Sequence, residues 1–361
     1  MNRTRHLGKD ELKKSYGEFT ACNAPFNNMY FTVRGEVSPC WKLPGFCDIW
    51  TPERSIMDIW KGEHFEKYRI ALKKNEFIHR CRECKKEIDD GVWPLAKAYD
   101  DYPVREYPSM MELELSNQCN LECTMCSGWL SSGIRKNREN LPPLPMAYTD
   151  EFRKQLHEFI PHLVELRFNG GEPFSQKIVL DICNDVAEIN PSLKINIATN
   201  GTVYNKRVKH ILETNNIHLN ISIDSLKKER YESIRINSDF DLLMKNFKIF
   251  NQYHRERGRH ISVMVNPMNN NWDEMIDFVD FCDNTDTILW YNTILYPKHL
   301  TIKDLPTEEI EMIYRELSEK LIERQSFFRD NDNNRKVGNF QKATHLVNHQ
   351  ILNWILDSHI R

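Results

Sequence analysis

The sequence predicts an α/β protein: a partial (β/α)6 TIM-like barrel, preceded by a small Cys-rich α+β domain and followed by a C-terminal helical tail. Two observations carry this. From about residue 110, short β-rich runs alternate with amphipathic helical stretches six times in succession, the pattern of parallel strands with helices outside. Before residue 100 the chain is rich in Cys, Trp and Gly and shows little long periodicity.

The elements follow in order. Residues 1–20 are polar and read as a loose arm or short helix, and 29–37 as a hairpin turning near Gly35. Residues 55–72 suggest a short helix and a turn, with apolar Ile56, Ile59, Trp60 and Phe65. Asp89, Asp90 and Gly91, then 100–103, mark a boundary. Strands are expected at 112–116, 165–169, 194–199, 219–224, 261–266 and 288–295. Helices are expected at about 149–160, 176–188, 205–214, 227–253, 271–283 and 307–325, with a last one near 340–357. Six units are fewer than the eight of a closed barrel, so an open one is expected, its active face at the C-terminal strand ends. The expected domains are 1–20, 21–100, 108–305 and 306–361.

The 361 residues suit one large domain plus a small one. A formal net charge of −3 argues against a general nucleic-acid-binding surface. No apolar run is long enough to span a bilayer, and the N-terminus lacks a secretory signal pattern, so a cytoplasmic protein with no membrane partner is expected. Ten cysteines are many for that compartment, and eight of them lie in the first 126 residues. Clustered thiols there read as metal ligands or redox groups.

The central segment is Ser116-Asn117-Gln118-Cys119-Asn120-Leu121-Glu122-Cys123-Thr124-Met125-Cys126. Its C-x3-C-x2-C spacing follows the first barrel strand. A complete [4Fe–4S] site supplies four thiolates, whereas a local triplet supplies three and leaves one iron open to a small chelating ligand. This loop resembles the cluster loop of the radical SAM superfamily, and the resemblance covers about 110–300. It implies that Cys119, Cys123 and Cys126 are catalytic cluster ligands. It also implies that S-adenosylmethionine is cleaved to a 5′-deoxyadenosyl radical, which takes hydrogen from a substrate.

Further motifs resemble the family in order. Asn169-Gly170-Gly171-Glu172 is similar to its GGE motif, in which Glu172 would take the SAM ammonium. The resemblance implies that Asn200 would lie in a turn beside the ligand, Ser222 and Asp224 near the ribose, and Arg235 at the SAM carboxylate. Asn266 would offer a ligand-side polar group, as the resemblance implies. Met125 stands where the family usually has an aromatic, and its backbone would face the adenine.

Cys22, Gly35, Cys40 and the Cys81/Cys84 pair form a C-x12-G-x4-C plus C-x2-C pattern. It resembles the twitch half of the SPASM auxiliary-cluster domain, which implies a second [4Fe–4S] cluster on Cys22, Cys40, Cys81 and Cys84. That module usually follows the barrel; here it precedes it and is expected to pack back over the barrel mouth. Cys47 reads as a spare, and Cys183 and Cys282 as core thiols. The resemblance implies an external flavodoxin- or ferredoxin-like electron donor. It implies net substrate oxidation assisted by the auxiliary cluster, and a peptide or a small sugar-like or nucleotide substrate. Tyr291 and Tyr296 are candidate substrate contacts, with plain aromatic packing the competing reading. The alternative for the whole chain is a zinc-stabilised binding or scaffold protein without radical chemistry.

Overall fold

The computed structural model describes residues 22–43, 45, 48–89, 96–328 and 334–359. The expected arm at 1–20 and Cys47 lie outside them. The chain divides into two compact units. The first holds 1–119, 128–197 and 205–217, and the second 120–127, 198–204 and 218–361.

The first unit opens with a short helix, α1 (Ala24–Asn27), then strands β1 (Asn28–Phe31) and β2 (Glu36–Ser38), which form the expected hairpin. Gly35 has φ +81° at the turn, a conformation that favours glycine. β3 (Asp48–Ile49) extends the hairpin. Two helices, α2 (Ile56–Trp60) and α3 (Glu63–Lys73), form where the apolar spacing required. The Ser55 side chain caps α2 by accepting from Asp58 N–H. α4 (Cys81–Asp89) carries the C-x2-C pair.

β4 (Met110–Leu113), β5 (Glu165–Phe168) and β6 (Lys194–Thr199) are successive parallel strands. Between them lie α5 (Ser132–Asn137), α6 (Asp150–Phe159) and α7 (Lys177–Ile189), with α8 (Lys206–Thr214) after β6. The sheet of this unit runs β3-β2-β1-β4-β5-β6. The sequence did not disclose that β1 pairs with β4 in parallel, Asn28 opposite Met110 and Phe31 opposite Leu113. The Cys-rich segment therefore joins the sheet edge by strand addition, rather than packing back over the strand ends as expected.

The second unit repeats the pattern. β7 (Asn216–Ser222), β8 (Ser262–Val265) and β9 (Ile288–Tyr291) are parallel neighbours. The single helix expected at 227–253 is two, α9 (Lys228–Ile234) and α10 (Phe240–Arg255). Asn237 turns left-handed between them at φ +71°, and the Asp239 side chain caps α10 by accepting from Leu242 N–H. α11 (Asp277–Thr285) precedes β9, and α12 (Thr307–Phe328) follows it. The tail forms α13 (Asn334–His345), a π-helical turn (Leu346–Ile351) and α14 (Leu352–Ser358). Asn339 on α13 accepts from Leu289 N–H and donates to Thr287 O, which occupies the backbone of β9.

Strands β6, β7 and β8 alternate in burial, whereas β1 and β4 are buried throughout. On one face Met111, Leu113, Leu166, Phe168, Ile195 and Ile197 are buried. The opposite face of β4–β6 is polar. Glu165 accepts from Arg167, Asn196 and Tyr102 and pairs with Lys194. Glu112 accepts from Asn28 and Tyr99. A fully buried parallel sheet reads as continuous apolar runs; here Glu112, Arg167 and Asn196 interrupt them at period two and give β4–β6 one polar face. Among the described residues, no helix is long and apolar enough to cross a membrane.

Candidate active site and cluster loops

The loop after β4 runs from 114 to 131. Within the first unit its two ends are tied together. Asn117 Nδ2 donates to Gly128 O at 2.9 Å, and Ser132 N–H to Asn117 O at 2.7 Å. The loop after β5 rests on it. Glu172 N–H donates to Gln118 O at 2.8 Å, and Gln176 Nε2 bridges Ser116 O and Gly170 O at 3.1 and 2.9 Å. Gly170 and Gly171 have φ +75° and +57°, and a Cβ on Gly171 would collide with Gln118 O and Ser116 O. Backbone approach thus requires Gly171, and the left-handed φ favours glycine at both positions. Glu172 is fully buried, and its Oε1 accepts from Phe174 N–H at 3.1 Å.

Within the second unit, segment 120–127 pairs with the stretch after α9. Glu122 N–H donates to Ile236 O and Thr124 N–H to Ile234 O, and Cys126 N–H closes a turn on Cys123 O at 3.1 Å. Met125 packs against Ile234, Met268 and Leu300, so its side chain is an anchor for the loop. Asn200 Nδ2 donates to Asn120 Oδ1 at 2.9 Å, and Asn120 in turn donates to Thr202. Asn120 and Thr202 were not expected; polar residues beside a cysteine carried no readable signal.

Arg235 is buried. Its Nη2 meets Asp224 Oδ2 at 2.7 Å, and its Nη1 donates to Cys123 Sγ at 3.8 Å. Burial opposes its charge, but Asp224 and the Cys123 sulfur more than offset this and hold the guanidinium pKa above its ordinary value. Asp224 is 0% exposed, and its Oδ1 accepts from Asn266 N–H and Nδ2, both at 2.9 Å. Asn271 Nδ2 fixes the same corner by donating to Asp224 O and Asn266 O. Asp224 thus serves both Asn266 and Arg235, and Asn266 Oδ1 in turn accepts from Asn292 Nδ2 at 3.3 Å. Ser222 closes β7 opposite Met264, on the partly exposed face. Tyr291 donates to Met275 O at 2.5 Å, the packing role, while Tyr296 is 74% exposed.

The second cysteine group lies in the first unit. Cys22 and Cys40 pack against a cluster of Ala24, Tyr99 and Met110. Burial pushes the Cys22 thiol up to about 12, with Cys81 and Cys84 adding to the rise. Cys40 rises well above its ordinary value from burial and then from Cys22, with Cys81 and Cys84 also contributing. Burial pushes Cys81 to about 11, and Cys84 adds to it. The four thiols are thus close enough to raise one another's pKa through charge. Among the described residues no three His, Cys, Asp or Glu side chains converge on a single ion position. A cubane does not require such convergence, since each thiolate binds a different iron. Cys183 and Cys282 are fully buried in α7 and α11, as expected of core thiols.

The residues present fit an iron–sulfur cofactor at the triplet. Arg235 Nε is buried beside Cys123 and has no hydrogen-bond partner among the described residues, an N–H that a bound group would satisfy.

A parallel α/β chain with a cysteine loop at the end of its first barrel strand and a preceding four-cysteine module defines a class of iron–sulfur protein. Comparison with known proteins specifies it. Residues 113–282 match the radical SAM superfamily, and residues 22–85 match an iron–sulfur cluster-binding domain, SPASM. The chain is a member of the radical SAM superfamily with a SPASM domain ahead of its radical SAM domain. Its cofactors are [4Fe–4S] clusters and S-adenosylmethionine. A GTP 3′,8-cyclase from Limosilactobacillus fermentum is 26% identical over 200 residues, 53% of this chain and 55% of that protein. The chain spans about half the length of the curated relatives it matches. Two solved structures are similar in part. Native anSMEcpe with bound AdoMet has 17% identity and a TM-score of 0.47, over 60% of this chain and 62% of that one. Streptococcus suis SuiB bound to precursor peptide SuiA has 15% identity and a TM-score of 0.45, over 68% and 51%.

Proposed function

We propose that Cys119, Cys123 and Cys126 hold a [4Fe–4S] cluster whose open iron binds S-adenosylmethionine, and that the chain uses it for reductive cleavage and hydrogen abstraction from a substrate. The observation that carries this is the C-x3-C-x2-C loop after the first barrel strand, with Arg235 hydrogen-bonded to one of its cysteines. When bound, the cluster and SAM together supply a one-electron route to a carbon-centred oxidant. The chain's own residues do the rest. Gly170 and Gly171 keep the second loop flat against the cysteine loop, so backbone rather than side chain faces the ligand. Arg235 presents positive charge to the cysteine sulfur.

Cys22, Cys40, Cys81 and Cys84 hold the auxiliary cluster in this reading. Four thiolates leave no iron open, which suits electron transfer rather than SAM binding. The electron that starts the cycle comes from an external low-potential donor. For substrate, the likeness to GTP 3′,8-cyclases puts a nucleotide first.

Anaerobic reconstitution and reduction with SAM tests the reading. 5′-Deoxyadenosine is expected from the intact chain and not from Cys126→Ala. None from fully iron-loaded protein would refute it. Purine and pyrimidine triphosphates, compared with peptides, test the substrate class by the rise in 5′-deoxyadenosine each causes.

A further inference from the structure

We infer that the Arg235–Asp224 pair sets the reduction potential of the cluster on the cysteine triplet, Arg235 raising it through its hydrogen bond to Cys123 and Asp224 restraining that effect. This rests on the cluster assignment proposed above.

The geometry is specific. Arg235 spends one amino group on Cys123 Sγ at 3.8 Å and the other on Asp224 at 2.7 Å. In the loaded protein that sulfur is a thiolate. Hydrogen bonds to the sulfurs and nearby charge are two of the levers that set a cluster's potential. A buried guanidinium favours the form with one more electron, because charges interact more strongly away from water. A buried carboxylate on its far side opposes it. Asp224 is in turn fixed by Asn266 and Asn271, so the guanidinium cannot turn away without breaking a connected network. The arrangement differs from a plain SAM-carboxylate contact in its consequence. A SAM contact acts only when SAM is present, whereas a charge on Cys123 acts on the cluster alone.

The test is an anaerobic redox titration of the loaded protein, followed by electron paramagnetic resonance without SAM. The triplet's cluster is identified as the one whose signal changes when SAM is then added. Arg235→Gln is expected to make its one-electron reduction at least tenfold less favourable, a fall of 59 mV or more. Arg235→Lys, which keeps the charge, is expected to lie between the variant and the native protein. Asp224→Asn, nearly isosteric, is expected to shift the potential the other way. An unchanged potential in iron-loaded Arg235→Gln overturns the inference. If that variant fails to load iron, an unchanged or lowered potential in Asp224→Asn overturns it instead. A native protein in which no cluster signal responds to SAM defeats the parent reading, a result distinct from either.

Discussion

Gly171 lies so close to the Gln118 carbonyl, next to Cys119, that no side chain fits between them. Its φ of +57° is also one that other residues adopt at a cost. Gly171→Ala is therefore expected to lose at least about 2 kcal/mol, from the left-handed backbone plus the displaced loop. Gly258, at φ +63° with nothing within 4 Å of a built Cβ, is the control. Gly258→Ala should cost only the backbone part, about 1 kcal/mol. Thermal unfolding gives both costs. Iron content should fall in Gly171→Ala and stay constant in Gly258→Ala.

That contact shows what could be read in the sequence. The cysteine spacing and the paired glycines are local, so motif and conformation coincide within a few residues. The six strand–helix alternations were legible for the same reason, since the 2.0 and 3.6 periods report local geometry. What was not legible depends on partners distant in sequence. β1 pairs with β4 eighty-two residues on, Asn28 opposite Met110, and nothing in either strand names the other. Arg235 was readable as a charge near a ligand. Its attachment to Cys123, 112 residues away, was not. The break between α9 and α10 did carry a signal: Asn237-Ser238-Asp239 is a turn followed by an N-cap, which the apolar periodicity across 227–253 masked.

Glu114 follows β4 on the polar face and hydrogen-bonds Tyr30. Burial pushes its carboxyl up to about 7; Tyr30 draws it down and Glu112 pushes it up. The folded state thus holds a proton that the unfolded chain releases near 4.5. The sign follows. Stability from this group is present below about 4.5 and is lost as pH rises through about 7, by at most about 3 kcal/mol. Glu114→Gln removes the titration. The variant is expected to gain on the native protein between pH 5 and 7 and hold a constant advantage above it. Melting temperatures of both proteins across that range check this; a gap that does not widen with pH contradicts it.

Glu165 behaves in the opposite sense. Burial raises its pKa, but Arg167 and Lys194 outweigh burial and bring it down to about 2. Its stabilisation is therefore present above the unfolded value near 4.5 and is lost as pH falls toward 2, about 3 kcal/mol in all. Glu165→Gln is expected to be destabilised by a similar amount at pH 7, because Arg167 and Lys194 lose their shared carboxylate. The difference from the native protein should close as both are acidified below about 4. Urea unfolding at pH 7 and at the lowest pH where the native fold persists measures this closure.

The N-terminal cysteines can be separated from the triplet by metal content. Cys81 and Cys84 lie one helical turn apart on α4, while Cys22 and Cys40 flank the β1–β2 hairpin. α4 and the hairpin are brought together in one unit, which pairing of β1 with β4 ties to the parallel sheet. Asn28 reinforces that seam, donating to Glu112 and to Pro39 O, both at 2.9 Å. If these four thiols share one cluster, Cys84→Ala should lower iron and sulfide by roughly four each per chain. The SAM-responsive signal of the triplet should survive, since Cys119, Cys123 and Cys126 are untouched. Cys183→Ala supplies the contrast: a fully buried thiol in α7 with no role at either site. It should cost about 1 to 2 kcal/mol as a small cavity and leave iron unchanged. Equal iron loss in both variants would mean that unfolding, not ligand removal, releases the metal. Loss in Cys84→Ala alone, at an unchanged melting temperature of the parallel sheet, assigns the second cluster to the module that precedes the barrel.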